Sequence, residues 1–404
     1  MRAITDPIDS LLDAAVSDNS IITDREVLRF THMPDTILYR DEEQKQVAQI
    51  LLPILRGSRP SNLLVYGKPG TGKTLVVRRL ISKIQERVKD SKFPIRLVYA
   101  NAKEETTLGG LLVSLGGQLG MDEKRLPVTG LAISEIFKRI LTETDERPLN
   151  VVFVIDEIDH LARLVERTGK DILYQLTGAN ERLSSGSTTL VGISNDLAFK
   201  ESLDARVISR LADEEVVFTN YTSEQIKTIL KERVAKAFVP GSVRESALNL
   251  CSALAGMEHG DARRAIDLLR IAGEIAERER DGRIVTDKHI REASKKMEED
   301  KEVTALRSYP LHEKLLIVAM MRRDNNTTGE VYSQYKLLCK MVAAGPLTQR
   351  RITQMLSEIE LSGMLSSRIV SRGTHGRTKR HTLTVPARTV RDAFAVDPTL
   401  QSVL

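Results

Sequence analysis

The run Gly67-Lys68-Pro69-Gly70-Thr71-Gly72-Lys73-Thr74 carries the residue types that can hold a polyphosphate. A glycine, four free positions and then Gly-Lys-Thr form a loop whose backbone N–H groups turn inward on anionic oxygens. Lys73 can reach the outer phosphates, and Thr74 can offer its hydroxyl to Mg²⁺. The flanks suit this chemistry. Asn62 to Tyr66 reads as a short buried strand, and Leu75 to Leu80 as a helix whose positive end adds to the field.

A second constellation follows the apolar, mostly β-branched run Val151 to Ile155, which reads as a strand buried on both faces. It ends in Asp156-Glu157-Ile158-Asp159. Asp156 is placed to hold a Mg²⁺ shell. Glu157 is placed to orient an attacking water or take its proton. A later strand, Thr188 to Ile193, ends in Ser194-Asn195-Asp196, where Asn195 can hydrogen-bond the γ-phosphate or the water. Arg206 and Arg210 are one helical turn apart. Either could reach a neighbouring subunit's ATP or pair with local carboxylates such as Asp213. Asp261 suits a helix cap. Arg263, in the first turn of that helix, opposes the dipole unless it points at bound phosphate. Arg40, just upstream of the loop, is a candidate for holding that turn or touching nucleotide; the plain alternative is a surface arginine.

Whole-chain properties bound the function. The 404 residues suffice for two or three domains, and 41% hydrophobic content supports a real core. Aromatics make up only 4%, with no tryptophan, so single-strand binding by base stacking gains no support. No run approaches the ~20 apolar residues of a membrane span, and the N-terminus lacks a signal-peptide layout. Cys251 and Cys339 are the only cysteines, which excludes zinc-ribbon and Cys-x-x-Cys redox chemistry and fits a soluble, reducing compartment. Net charge is +5, but Thr348 to Arg391 holds nine lysines and arginines against two glutamates. The positive charge therefore gathers where a polyanion would be met.

Periodicity supplies the elements. A helix is predicted from Glu42 to Leu55. Helical patterns over Thr107–Leu119 and Ala132–Leu141 exceed what one crossover needs. From Thr222 to about Asp300 the pattern is mostly helical, with Lys295 to Glu302 read as a linker or helix end. Asn325 to Glu330 reads as a polar loop. A helix over 349–360 turns Ile352, Leu356 and Ile359 inward and leaves Gln349, Arg350, Thr353 and Gln354 for a DNA groove. Strands at Ser367–Arg372 and Thr382–Val385 flank a basic loop, Gly373 to His381, as a wing would.

These motifs, with Ile193-Ser194-Asn195, Leu203 to Arg210 and Gly260-Asp261-Ala262-Arg263-Arg264, resemble the archaeal origin-recognition/cell-division-control replication-initiator ATPases of the AAA+ class. The resemblance implies an α/β P-loop AAA+ ATPase core over residues 1–220, an all-helical lid over 221–303 and a C-terminal winged-helix domain over 304–404. It makes Asn195 the first sensor, Arg210 the subunit-facing arginine and Arg263 the second sensor. It makes the 107–126 element an insertion touching duplex DNA, with Lys124 and Arg125 as candidates. Gln349, Arg350, Thr353, Arg372, Arg377, Lys379 and Arg380 are the winged-helix candidates. ATP, ADP and Mg²⁺ are the implied cofactors. The implied partners are double-stranded origin DNA, the replicative minichromosome-maintenance helicase and other initiator copies, with no membrane, in a cytoplasmic, chromosome-associated protein. Competing readings are a helper or clamp-loader-type ATPase, an ATP-switched transcription regulator, and a structural ATP-binding protein without turnover.

Overall fold

The computed structural model describes residues 20–89, 92–105, 107–127, 129–161, 172–196, 199–258, 260–279, 284–322, 326–371 and 377–404. The chain divides into two compact units, Met1–Ile290 and Arg291–Leu404.

The first unit is built on a parallel sheet of β1 (Leu63–Gly67), β2 (Ile95–Asn101), β3 (Asn150–Asp156), β4 (Ser187–Ser194) and β5 (Glu214–Phe218). Their spatial order is β2-β3-β4-β1-β5. Helices α1 (Asp41–Leu51), α2 (Lys73–Val88), α3 (Leu108–Gln118), α4 (Ile133–Glu146), α5 (Ile172–Thr177) and α6 (Ala205–Leu211) accompany it. Alternation within β3 explains its unbroken apolar run. Val152 and Val154 join the core with Val47, Leu51, Val76 and Val77 of α1 and α2. Val151, Phe153 and Ile155 join the opposite core with Leu111, Leu115, Phe137 and Ile140 of α3 and α4. The glycines of α3 are tolerated because packing replaces propensity. A Cβ on Gly116 would stand 2.2 Å from Leu126, so that glycine permits a close approach.

Helices α7 (Ser223–Ala237), α8 (Glu245–Met257) and α9 (Ala262–Arg278) follow in the same unit. Residues 20–38, which read as merely polar in sequence, are tied to them. Ile22 bridges Phe238, Thr23 N–H donates to Ala237 O at 2.8 Å, and Glu277 accepts from the Ile22 N–H at 3.1 Å.

Helix α10 (Asp287–Ser308) leads from the first unit into the second. It runs through Lys295 to Glu302, where a linker or helix end was expected, and ends at Ser308. Lysine and glutamate are good helix formers, and the break comes only at Pro310. The second unit contains α11 (Leu311–Arg322), β6 (Asn326–Thr327), α12 (Thr328–Met341), α13 (Gln349–Leu361), β7 (Leu365–Ser371), β8 (Arg377–Leu383) and α14 (Ala387–Phe394). Its sheet runs β6-β8-β7, with both pairings antiparallel. Two expectations change here. The loop expected over 325–330 holds strand β6 and the start of α12. Arg377 to His381, expected in the wing loop, belong to β8, paired from Leu365↔Leu383 to Ser371↔Arg377. His381 is accordingly buried, with Ser367 Oγ at 2.8 Å from Nδ1 and Thr328 Oγ1 at 2.9 Å from Nε2. Burial lowers its pKa below the ordinary 6.5.

Thr327 joins strand to helix. Its N–H donates to Glu330 Oε2 at 2.7 Å, and its hydroxyl accepts from the Glu330 N–H at 3.3 Å, a reciprocal cap. Thr327→Ala is expected to destabilise the protein by about 1 kcal/mol, and Thr327→Ser by much less, in chemical denaturation followed by circular dichroism.

Candidate functional site

Parallel strands deliver their carboxyl ends to one edge, where ligands of open α/β sheets bind. The register aligns Tyr66 with Ser194, Asp156 with Ile193 and Asn101 with Asp156. Because β4 lies between β1 and β3, Asn195 falls between the glycine loop and the acidic strand end. A cavity of about 400 Å³ opens there, lined by Gly70, Gly72, Thr74, Asp156, Glu157, Asn195 and Arg263 among others.

The loop geometry is enforced locally. Gly70 and Gly72 have φ of +73° and +92°. A Cβ on Gly70 would lie 1.8 Å from Asp261 Oδ1, so no larger residue fits beneath α9. Asp261 caps that helix as expected, accepting from the N–H groups of Arg263 at 2.8 Å and Arg264 at 3.2 Å. Lys68 and Pro69 complete the turn. Thr71 is fully buried, and its hydroxyl donates to Lys68 O at 2.8 Å.

Lys73 is 4% exposed, and its ammonium donates to the carbonyls of Gly67 and Lys68 at 2.7 Å each. Burial, reinforced by the charge of Arg263, pulls its pKa down from 10.5 to about 8. Asp156 is also 4% exposed. Its Oδ2 accepts from Thr74 Oγ1 at 2.9 Å and from the Tyr99 hydroxyl at 2.8 Å, and its Oδ1 accepts from the Glu157 N–H at 2.9 Å. Glu157 has φ of +51°, a conformation a side-chain-bearing residue holds only under constraint. Its carboxylate lies 3.9 Å from Lys103 Nζ. Thr74 and Asp156 offer hard oxygen donors of the kind Mg²⁺ takes alongside water and phosphate. Among the described residues no group of three or more His, Cys, Asp or Glu could hold a metal.

The structure places the other expected residues as follows. Arg40 is buried, not at the surface. Its guanidinium donates to Thr71 O at 2.9 Å, Thr219 O at 2.5 Å and Glu43 at 2.7 Å, and stacks 3.9 Å from the Tyr221 ring centroid. Those contacts hold the turn. Arg210 does not line the cavity; it pairs with Glu181 at 2.6 Å over the Tyr174 ring. Arg206 pairs with Asp204 through two bonds of 3.0 Å. Between α3 and α4, Lys124 is exposed, while Arg125 is drawn to the buried Glu143, which also meets Arg147 at 2.8 Å.

In the second unit, Thr348 caps α13 and Ile352, Met355, Leu356 and Ile359 are buried. Gln349, Arg350, Thr353 and Gln354 are exposed on the other face. Lys379 donates to Glu360 at 2.5 Å, and Arg380 is half-buried. Arg372 and the Arg377 side chain lie outside the described residues.

Several cavity residues carry no motif: Arg78, Tyr99, Lys103, Arg233 and the segment Arg29 to Leu38. Only their positions at strand ends or on a helix stripe signalled them.

Three family models match the chain in succession: an AAA domain over 56–198, a Cdc6 AAA+ ATPase-type lid domain over 227–295 and a CDC6 C-terminal winged helix domain over 304–393. An ORC1-type DNA replication protein of Cenarchaeum symbiosum is 64% identical over 400 residues, covering 99% of this chain and 97% of that one. The chain belongs to the ORC1-type DNA replication proteins. Another member, from Pyrococcus abyssi, is 39% identical over 98% of this chain and 95% of its own. The Aeropyrum pernix ORC1 protein, solved in complex with DNA, superposes with a TM-score of 0.82 at 36% identity, covering 95% of this chain and 99% of that chain. The fold is therefore the expected AAA+ core with helical lid and winged helix, and the family is one of nucleotide-binding ATPases. Among the described residues no helix is long and apolar enough to cross a membrane.

The depressed Lys73 pKa makes a measurable prediction. Between about pH 8 and 10.5 the unfolded chain binds more protons at Lys73 than the folded one, so the free protein gains stability as pH rises through that window. A bound polyphosphate favours the ammonium form. Titration calorimetry at pH 8.5 in buffers of different ionisation enthalpy should show proton uptake on ATP binding, and Lys73→Met should abolish it.

Proposed function

We propose that this chain is an ATP-dependent replication initiator that binds duplex origin DNA and helps load the replicative minichromosome-maintenance helicase. The observation that carries the reading is a single cavity where the glycine loop, an acidic strand end, Asn195 and Arg263 converge, in a chain that also carries a winged helix with an exposed polar helix face. Residues 1–220, 221–303 and 304–404 act as ATPase core, lid and DNA module.

Lys73 and the loop N–H groups bind the β- and γ-phosphates of ATP. Lys73 donates to the carbonyls of its own loop, which holds the ammonium at that loop. Thr74 and Asp156 hold Mg²⁺, which when bound neutralises charge building on the phosphates. Glu157 orients the attacking water and takes its proton. Asn195 and Arg263 contact the γ-phosphate from the sheet and from the lid. Arg263 sits one residue beyond Ala262, whose N–H reaches Gly70 O at 3.4 Å, so nucleotide occupancy bears directly on the lid. Arg40 supports the site through the loop backbone. Arg210, turned away from its own cavity, serves a neighbouring copy's ATP on DNA. Turnover is slow and switch-like, resetting a chromosome-associated cytoplasmic protein.

DNA is met by Gln349, Arg350 and Thr353 of α13, by Arg372, Arg377, Lys379 and Arg380 of the wing, and by Lys124 and Arg125 of the insertion. Lys379 and Arg125 first have to exchange Glu360 and Glu143 for phosphate, so Arg350 and Lys124 carry the larger share.

Two experiments test this. Glu157→Gln should retain ATP binding and lower single-turnover phosphate release by about 100-fold or more. Unchanged turnover would remove the role given to Glu157. Arg350→Ala should weaken duplex binding and reduce the slope of log affinity against log salt by about one if it contacts phosphate, read by fluorescence anisotropy across a salt series. Wild-type affinity and slope would remove α13 from the interface.

A further inference from the structure

The acidic strand end is held by a residue no motif includes. Tyr99 sits near the end of β2, which among the described residues is an edge strand paired with β3, and is aligned opposite Val154. From there its hydroxyl reaches Asp156 Oδ2 at 2.8 Å, the same oxygen that accepts from Thr74 at 2.9 Å. The ring is fixed on one side by the Arg78 guanidinium of α2, 4.8 Å from its centroid. The backbone is fixed by α3. Gln118 accepts from the Tyr99 N–H at 2.9 Å and donates to the Tyr99 carbonyl at 2.8 Å. A side-chain amide thus hydrogen-bonds the outer edge of β2 like one unit of a further strand, at the β2 residue whose hydroxyl reaches Asp156.

We propose that Tyr99 is the positioning residue of the metal site and that Gln118 sets its position, so that the orientation of Asp156 is governed from the inserted helix α3. A carboxylate that must share a small hard cation with water and phosphate works in one orientation. Outer-shell donors that fix ligand carboxylates tune metal affinity. Without Tyr99, Asp156 keeps, among the described residues, donors from Thr74 and the Glu157 N–H, and its Oδ2 can rotate away from the loop. The inference rests on the Mg²⁺-nucleotide reading above, and its test separates the two.

The probe is ATP affinity, by fluorescent-analogue displacement, in EDTA and across a Mg²⁺ titration, using the full chain. Tyr99→Phe removes the hydroxyl and keeps the ring on Arg78. It should leave Mg²⁺-free affinity within about twofold while raising the Mg²⁺ concentration for half-maximal tightening by about tenfold. Gln118→Ala should shift the same midpoint in the same direction by less. Thr107→Ala, which removes the α3 cap but not the clamp, should lower thermal stability and leave the midpoint alone. An unchanged midpoint in Tyr99→Phe, or an equal loss of affinity with and without Mg²⁺, would overturn the proposal. A wild-type protein whose ATP affinity ignored Mg²⁺ would overturn the metal reading beneath it.

Discussion

A carboxylate almost wholly removed from water is the constraint around which the first unit is arranged. Asp156 is 4% exposed, and an unpaired charge at that depth would cost several kcal/mol. Among the described residues its donors come from three places: Thr74 at the start of α2, Tyr99 on β2 and the Glu157 backbone just past the end of β3. Meeting that requirement fixes the glycine loop against the acidic strand end. It also locks Glu157 into its positive-φ turn and seats the edge strand in register. The pairing of the buried Asp156 carboxylate and the anchoring of the sheet edge are one arrangement.

The lid helix is tied to the same point from the other side. Gly70 lacks a side chain because Asp261 occupies its space, and Asp261 is there because it caps α9. The charge of Arg263 at that helix start contributes to the depressed pKa of Lys73. A polyphosphate would favour the ammonium form of Lys73 that burial and the Arg263 charge disfavour.

The winged-helix unit shows that net charge overstates the free basic surface. The basic stretch counted from the sequence includes Lys379, whose ammonium is held by Glu360, and Arg388, which pairs with Glu299 at 2.5 Å. The exposed face of α13 is the part of that stretch whose geometry follows directly from its periodicity, since the buried positions 352, 355, 356 and 359 leave 349, 350, 353 and 354 outward.

What the sequence determined by itself was whatever chemistry lies in contiguous residues: the phosphate loop, the acidic strand end, the asparagine after β4, the Asp261 cap and the amphipathic face of α13. Each depends on local backbone geometry or a single period, and neighbours along the chain supply both. Tertiary structure alone decided what depends on which strand lies beside which. The two-residue β6 is too short to show alternation, and the placement of β2 beside β3 cannot be read from either strand. For the same reason Tyr99 looked like an ordinary strand residue, Arg40 had no visible partners, and Arg125 and Lys379 passed for free cations. Apart from Glu43, three positions from Arg40, the partners named above stand 18 to 179 positions away, and only the packed chain brings them within hydrogen-bonding distance.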